Sequence, residues 1–467
     1  MRHALARSSL VIVSWFLCLA GCSSSDEPAP GASAGSGGAG EKAGSSGSGG
    51  ASGHAGSSVA GTGGSGGSPA GQAGSASGQS GASGQAGQAG QGGSAGQAGQ
   101  SGVAGQAGSG AGDFTLLGSL SAGWALNEWH ELANSHLRDV YLSHAQADAI
   151  DPQIWQVSGP DAAIQVWSSG AFDGRRLLIG AAGGHGGYNG NEMYAFDLTT
   201  LTWTRLYDPS PTATCAPNGG GADCTTKWGP QALHQYDGLV HSASTHSIFN
   251  FGTGPKDSCW VWRLDEVSNL TTSWHSFACA PNMPTAYMKT AEDPVSGKII
   301  VFGGGLTGIA ALDPVALTWS KTTGGDAVYA SYSVADFDPA RGRVHALGVH
   351  SGGPLYQKRD VVSIDASSLA VSESTTIPPD NVSDYACFLY HPPSKKMIAW
   401  NGDQHVWSWD PDTDVWTAVA TTGVTPTTSA TNGGGIHSKC GFEPSLGVLF
   451  GVNNADRGVW AMRLSLE

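Results

Sequence analysis

One short motif recurs along the C-terminal part of this chain, and it constrains the fold more than any other feature. In each copy an apolar strand runs into a turn rich in Pro or Gly, and a second apolar strand follows. Clear copies have their turns at Asp173, Asp293, Asp338, His391 and Glu443, and a weaker copy covers 241–248. Two apolar strands joined by such a turn form a β-hairpin. A recurring hairpin predicts a fold assembled from similar β units.

The segment after the hairpin is also repeated. A third strand ends in Asp, and a Trp follows near the start of a fourth strand, most clearly at 194–203, 311–319 and 407–416. Each unit therefore has four strands and covers about 45 to 55 residues, the size of a propeller blade. The last unit ends at Leu464 without a fourth strand. We expect Trp129–Leu132 to supply it, which closes the ring and leaves no open sheet edge.

Several details resemble the kelch repeat of β-propellers: the Gly-Gly pair at 183–184, the Tyr-x-Phe-Asp sequence at 194–197, and the Trp at 203. The same superfamily includes the propeller of galactose oxidase. The resemblance covers nearly all of 125–467 and implies an all-β, kelch-like β-propeller. We expect six blades, one for each hairpin, and a seventh blade within 133–165 is the alternative. The resemblance implies little about function, because one fold carries many functions.

The first residues have the features of an export signal. Arg2 and Arg7 precede an apolar run, Leu10–Leu19, that is too short to be a stable membrane span. The run ends in Leu-Ala-Gly-Cys, which resembles the lipobox of bacterial lipoproteins. We therefore expect a signal peptide at 1–21 and lipidation at Cys22, with an ordinary secretory signal as the alternative. The Ser that follows Cys22, where a retention signal has Asp, indicates an outer-membrane lipoprotein that is periplasmic or surface-exposed.

Residues 22–112 are predicted to form a disordered tether. From 31 onward they consist almost entirely of Gly, Ala, Ser and Gln, and such a stretch cannot bury enough apolar surface to offset its chain entropy. A flexible chain of about 90 residues has a root-mean-square span of roughly 50 Å. The propeller, predicted at 113–467, can therefore work away from a membrane that it contacts through the lipid anchor only.

The cysteine content agrees with export. Apart from the cysteines at 18 and 22, six cysteines remain, and an even number in an exported protein indicates disulfides. We predict pairs between neighbours in sequence, which leaves the last two to pair with each other: Cys215 with Cys224, Cys259 with Cys279, and Cys387 with Cys440. No Cys-x-x-Cys pair indicates zinc, and we expect no cofactor.

The charge of the chain limits its partners. Asp and Glu outnumber Lys and Arg by 37 to 22, for a net charge of −15. An acidic surface repels phosphate backbones, so nucleic acid is not the expected partner. A glycan or an extracellular protein is expected instead, and the protein is expected to be a monomer.

Each hairpin has an aromatic residue six positions before its turn residue. These residues should form a ring at one mouth of the central channel of the propeller: Trp167, Tyr236, Tyr287, Tyr332, Tyr385 and His437. One interpretation is that the rings only fill the channel or pack between blades. The other is a funnel whose aromatic faces stack on sugar rings and whose polar tips form hydrogen bonds.

A second group is expected on the same face. His185 and Tyr188 lie in a Gly-rich loop of the first blade, and His234 and Tyr236 lie where the second blade begins. His and Tyr can transfer protons without a metal, and polysaccharide lyases built on propellers use such residues. Hydrogen bonding and loop packing are the more ordinary roles. A lyase also needs a cation near the carboxylate of its substrate, for which the candidates are Lys289, Lys439 and Arg205.

The sequence therefore predicts a surface-anchored propeller lipoprotein that binds a glycan or another extracellular ligand at an aromatic-lined funnel. A polysaccharide lyase and a protein-interaction scaffold are the alternatives, and whether the protein is an enzyme stays open. Copper radical chemistry of the galactose-oxidase type is not expected. The adjacent Tyr390 and His391 lie at a turn, on the face away from the funnel, and each mature cysteine has a predicted partner.

Overall fold

The computed structural model describes the C-terminal part of the chain, all of it within the unit Ala95–Glu467. The described residues are 113–165, 168–180, 188–212, 230, 232, 235–253, 259–265, 274–279, 283, 288–303, 309–321, 328–329, 333–351, 360–427 and 436–466. For strand positions 253, 259, 260, 262, 321, 328, 329 and 349–351 only the backbone is described. Cys22, the signal peptide and the tether lie outside these residues.

The chain enters the propeller through a segment that is largely helical. Its elements are α1 (Thr115–Ser121), β1 (Glu128–Glu131), a 3-10 turn (Leu137–Val140), α2 (His144–Ile150), a second 3-10 turn (Gly159–Asp161) and α3 (Ala162–Gln165). Ser143 begins α2 with a capping box, in which its side chain accepts from Gln146 N and its backbone N–H donates to the Gln146 side chain. None of the described helices is long and apolar enough to cross a lipid bilayer.

Six antiparallel sheets follow, each built around four strands. The first three blades are β2–β5 (Gly170–Phe172, Arg176–Ile179, Tyr194–Asp197, Thr202–Arg205), β6–β9 (Leu239–Ser242, Ser247–Thr253, Cys259–Leu264, Trp274–Ala278) and β10–β13 (Met288–Glu292, Ile299–Gly303, Ala310–Asp313, Thr318–Lys321). Strand β14 (Val328–Tyr329) precedes the fourth blade, which is β15–β18 (Val334–Asp338, Arg343–Ser351, Asp360–Asp365, Val371–Glu373). The fifth blade is β19–β22 (Cys387–His391, Lys396–Trp400, Val406–Asp410, Val415–Val419). Strand β23 (Thr422–Gly423) follows, and then β24–β26 of the sixth blade (Cys440–Glu443, Val448–Gly451, Trp460–Arg463).

The hairpin turns are fixed by side chains that accept backbone hydrogen bonds. Asp293 accepts from Val295 N at 2.9 Å, and Asp338 accepts from Ala340 N at 2.9 Å. A short acceptor side chain at this place satisfies the turn N–H groups that no strand partner can reach. The repeated residue of the sequence motif thus stands at the end of the innermost strand or directly after it.

The ring is closed, and it has six blades. Inner strands of consecutive blades are in contact all the way round, and the last, β24, contacts the first, β2. β1 completes the sixth blade by pairing antiparallel to β26, with His130 opposite Ala461 and Glu131 opposite Trp460. The predicted closure of the ring by the segment after the tether is therefore confirmed.

Apolar side chains fill the spaces between neighbouring blades. Between the second and third blades, for example, Phe249 and Phe251 of β7 are packed with Ile299 and Val301 of β11. A disulfide joins Cys387 of β19 to Cys440 of β24, with 6.0 Å between the Cα atoms, so that the predicted pairing is confirmed.

The other predicted pairings fall largely outside the described residues. Cys279 is disulfide-bonded, while the side chain of its predicted partner Cys259 is not described. Cys215 and Cys224 both lie outside the described residues.

The segment 133–165 is not a seventh blade. Leu137 and Ile154 are fully buried in one cluster with Leu177 and Tyr194 of the first blade, and Trp203 Nε1 donates to Ser135 O at 2.9 Å. The fold is thus mostly β rather than all β, because short helices in this segment cover the apolar flank of the first blade.

Candidate functional site

The inner strands begin at one end of the propeller, here called the mouth end, and finish at the hairpin turns, here called the turn end. At the mouth end all six blades contribute to one largely buried group of residues. This axial cluster consists of Ser168, Tyr236, Asp237, Lys289, Ala335, Tyr385, His437, Ser438 and Lys439.

Asp237 is at the centre of the axial cluster. One carboxylate oxygen accepts from Ala335 N at 2.7 Å, and the other accepts from the Ser438 hydroxyl. Asp237 belongs to the second blade, Ala335 to the fourth and Ser438 to the sixth. A side chain that touches alternate blades of a six-membered ring has to lie near the axis. Asp237 therefore connects three blades across the channel.

Two lysines occupy the same repeat position, four residues before the turn residue of their hairpins. Lys289 lies in the third blade and Lys439 in the sixth, which are opposite each other in the ring, and both are 0% exposed. Lys439 Nζ donates to Ser168 O at 2.7 Å. Lys289 Nζ lies 5.0 Å from the centre of the Tyr236 ring, which is within range of a cation–π interaction.

Burial shifts the pKa of Asp237 and of both lysines towards the neutral form. It raises the pKa of Asp237, although the Ser438 hydrogen bond and the charge of Lys289 act in the opposite direction. Burial lowers the pKa of Lys289, against the effect of Asp237. It lowers the pKa of Lys439 to about 7, again with Asp237 opposing the shift. The cluster therefore contains groups that change charge near neutral pH.

The aromatic residues that the structure describes converge at the mouth end. The His437 ring stands edge-on to Tyr236 at 5.8 Å and to Tyr385 at 5.0 Å between centroids. Tyr236 and His437 are buried, whereas Tyr385 is partly exposed. The remaining members of the predicted ring lie outside the described residues: Trp167, Tyr287 and Tyr332.

The backbone at the same place is strained. Tyr236, His437 and Ser438 have φ values of 51°, 44° and 59°, in the left-handed region that favours glycine. Bulky residues in this region cost free energy and are concentrated at functional sites. Hydrogen bonds hold the strained segment, because the N–H groups of Ile436 and His437 both donate to Tyr385 O.

The predicted proton-transfer group is not assembled among the described residues. Tyr188 is fully buried, and its hydroxyl donates to Glu192 at 2.7 Å beneath Trp155. Burial and the neighbouring Glu192 raise the pKa of Tyr188. Tyr236 belongs to the axial cluster and shares none of these contacts. His185 and His234 lie outside the described residues.

Arg205 also differs from the two lysines with which it was grouped. It lies on β5, the outer strand of the first blade, where it donates to Val140 O at 2.7 Å and pairs with Asp208 at 2.9 Å. Its neighbours therefore belong to the periphery of the propeller. Of the three candidate cations, only the lysines belong to the axial cluster.

Sequence reasoning missed Asp237 and Ser438. Their place in the sequence could have indicated them, since each directly follows a residue of the predicted ring of aromatic residues, Tyr236 or His437. The chemistry available in the cluster is the binding of charge and of flat rings. Within the described residues, no group of His, Cys, Asp and Glu is placed to hold a metal ion.

Comparisons with known proteins give structural similarities only. No family model and no curated protein matches the chain. An auxiliary nutrient binding protein from Bacteroides ovatus matches with a TM-score of 0.40 and 9% identity, over 64% of this chain and 69% of that one. TolB from Acinetobacter baumannii matches with a TM-score of 0.35 and 11% identity, over 55% of each chain. Neither similarity is close enough to carry an inference about function, which has to rest on the site itself.

Proposed function

We propose that this propeller is a binding protein whose ligand, a glycan, lies against the axial cluster at the mouth end. The observation that carries the proposal is the convergence of Tyr236, Tyr385 and His437, from three different blades, beside buried charged groups. Aromatic faces stack on the apolar faces of sugar rings, and the polar tips of Tyr and His can bond to sugar hydroxyls.

Strained backbone at Tyr236 and His437 agrees with a binding role, because such strain is concentrated at functional sites. It does not carry the proposal by itself, since turn residues such as Leu201 and Leu317 have similar φ values. Tyr385 retains exposed surface and is the described residue best placed to contact a ligand.

The lyase alternative has less support. The hydroxyl of Tyr188 is held by the buried carboxylate of Glu192, and the raised pKa of Tyr188 makes it a poorer proton donor. A scaffold function without a small ligand would leave the cluster with its structural role alone, in which Asp237 connects three blades.

The proposal includes lipid attachment at Cys22 and display on the tether. Both follow from the sequence, and both lie outside the described residues. A ligand-binding domain on a long flexible chain can reach polymers at some distance from the membrane surface.

The test is binding of the full-length, detergent-solubilised protein to a panel of neutral and acidic polysaccharides, measured by biolayer interferometry. Tyr385→Ala should weaken binding about two- to tenfold, since stacking on one aromatic ring contributes about 0.5–1.5 kcal/mol. Tyr390→Ala is the matched control, because Tyr390 is a partly buried tyrosine of the same blade at the turn end. Absence of binding across the panel, or equal binding by both variants, would overturn the proposal.

A further inference from the structure

We propose that the axial cluster binds an anionic group of the ligand at Lys439, so that the protein selects acidic glycans over neutral ones. This inference rests on the proposed function and specifies its ligand class. The shared chemistry is a single negative charge on a sugar, either the carboxylate of a uronic acid or a sulfate ester.

The axial cluster contains more basic than acidic side chains. It contains two lysines, Lys289 and Lys439, and the single carboxylate of Asp237, all of them buried. Both oxygens of Asp237 accept hydrogen bonds from other groups, Ala335 N and the Ser438 hydroxyl. One carboxylate is thus shared by two ammonium groups.

Of the two lysines, Lys439 has fewer interactions that offset the cost of burying its positive charge. Its Nζ donates to the uncharged Ser168 O, and among the described residues the charge that acts on it is that of Asp237. In the part of the chain that the structure describes, no carboxylate lies within ion-pair distance of Lys439. A fully buried ammonium is normally paired with a carboxylate, because desolvation otherwise makes its charged form costly. An anion from a ligand would supply that pairing.

The position of Lys439 links this charge to the sugar-binding surface. Lys439 follows His437 and Ser438, two of the residues with left-handed backbone, in the segment held by Tyr385 O. A sugar against the exposed part of Tyr385 would therefore bring a substituent to the same segment. Lys439 is fully buried, so the anion must enter from the end at which these aromatic side chains lie.

The net charge of the rest of the protein opposes an acidic ligand, so selection of such a ligand has to come from the site itself. The net charge is −15, and an acidic surface repels anions at long range. An acidic glycan needs a local positive charge to be held, and a buried one is screened little by salt. Lys439 meets both requirements, whereas the lysine at the turn end of the fifth blade, Lys396, is partly exposed and pairs with Asp410 at 3.7 Å.

The competing explanation is that Lys439 is a neutral amine whose sole role is to donate to Ser168 O. In that case binding of a glycan would not depend on its charge. The two explanations differ in a measurement that needs no variant: polygalacturonate against the same polymer with its carboxylates methyl-esterified.

The experiment uses the full-length protein and measures equilibrium binding to four polymers. These are polygalacturonate, its methyl ester, a sulfated galactan and a neutral galactan. We expect at least one acidic polymer to bind tenfold or more tightly than its neutral counterpart, and the pair that shows this identifies carboxylate or sulfate. Lys439→Met should abolish the preference, and Lys396→Met should keep it. Equal affinity for charged and neutral polymers in the wild-type protein would overturn the inference and leave the proposed function standing.

A second measurement covers the case in which no polymer binds, which would overturn the proposed function. The unfolding midpoint is measured with sodium galacturonate and sodium sulfate against sodium chloride at equal ionic strength. A bound anion stabilises the folded state by mass action. An upward shift that is lost in Lys439→Met and kept in Lys396→Met would support an anion site even then. Absence of any shift in the wild-type protein would overturn the site.

Discussion

The two ends of the inner strands bury charge in different ways. At the turn end, Asp173 pairs with Arg176 at 2.8 Å and Asp338 pairs with Arg341 at 2.6 Å, and each arginine is the third residue after its aspartate. At the mouth end, one aspartate serves two lysines that are contributed by other blades. An ion pair within one hairpin can form whether or not the other blades are in place, whereas the axial cluster can form only in the closed ring. Charge at the turn end thus stabilises single hairpins, whereas charge at the mouth end connects different blades, and there we propose that it also meets a ligand.

The largest expected effect is on stability, at the centre of the axial cluster. Asp237→Ala removes the carboxylate whose charge acts on both buried lysines, and removing one partner of a buried ionic group destabilises by about 3–5 kcal/mol. Urea denaturation of the wild-type and variant proteins measures the change. Adding Lys439→Met to Asp237→Ala should recover part of the loss, because one uncompensated charge is then removed. A loss below about 1 kcal/mol would show that the cluster is not electrostatically coupled.

The next effect is the pH dependence of stability, and its sign follows from Lys439. The pKa of this residue falls from 10.5 to about 7 on folding, so the penalty for burying its charge applies in full below pH 7. Above pH 7 the folded protein releases this proton before the unfolded chain does, and stability rises until the unfolded pKa is passed. Between pH 7 and pH 9 the wild-type protein should gain about 2 kcal/mol relative to Lys439→Met.

Urea denaturation of both proteins across this range is the measurement. The comparison with the variant is needed because other groups of the cluster also titrate. Lys289 contributes in the same direction, Asp237 contributes in the opposite direction below its raised pKa, and His437 lies beside them. Parallel pH profiles for the two proteins would contradict a buried, titrating Lys439.

The smallest effect is expected at the turn end, for an exposed pair. Arg175 is 49% exposed and pairs with Asp197 at 2.6 Å. Surface ion pairs contribute little, so Arg175→Ala should cost less than about 1 kcal/mol in thermal or urea unfolding. Glycan binding should be unchanged, since the pair lies at the end opposite the axial cluster. A change in the glycan affinity of Arg175→Ala would contradict the assignment of separate roles to the turn end and the mouth end.

The sequence predicts the architecture well because its signals are local. The acceptor residues at Asp293 and Asp338 mark turns through hydrogen bonds to residues two positions later. The closing strand around Trp129 could be predicted because a blade without its fourth strand leaves an open edge. The convergence of Tyr236, Tyr385 and His437 could be predicted because equivalent repeat positions meet at the axis.

Other features depend on contacts that no local pattern specifies. The carboxylate of Asp237 contacts Ser438 only because the ring closes. The role of Asp237 therefore cannot be predicted from the residues around it in the sequence. Tyr188 was expected at the mouth, but the segment containing Trp155 covers it. Helix α2 follows a capping signal, Ser-x-x-Gln at 143–146, which by itself marks only where a helix starts.

The most direct test of the central claim is a crystal structure of the protein with a short oligogalacturonate. The account predicts that one carboxylate lies within about 3 Å of Lys439 Nζ, as expected of a charge-assisted hydrogen bond, and that a sugar ring stacks on Tyr385. An oligosaccharide bound elsewhere on the propeller, with Lys439 still donating only to Ser168 O, would contradict it.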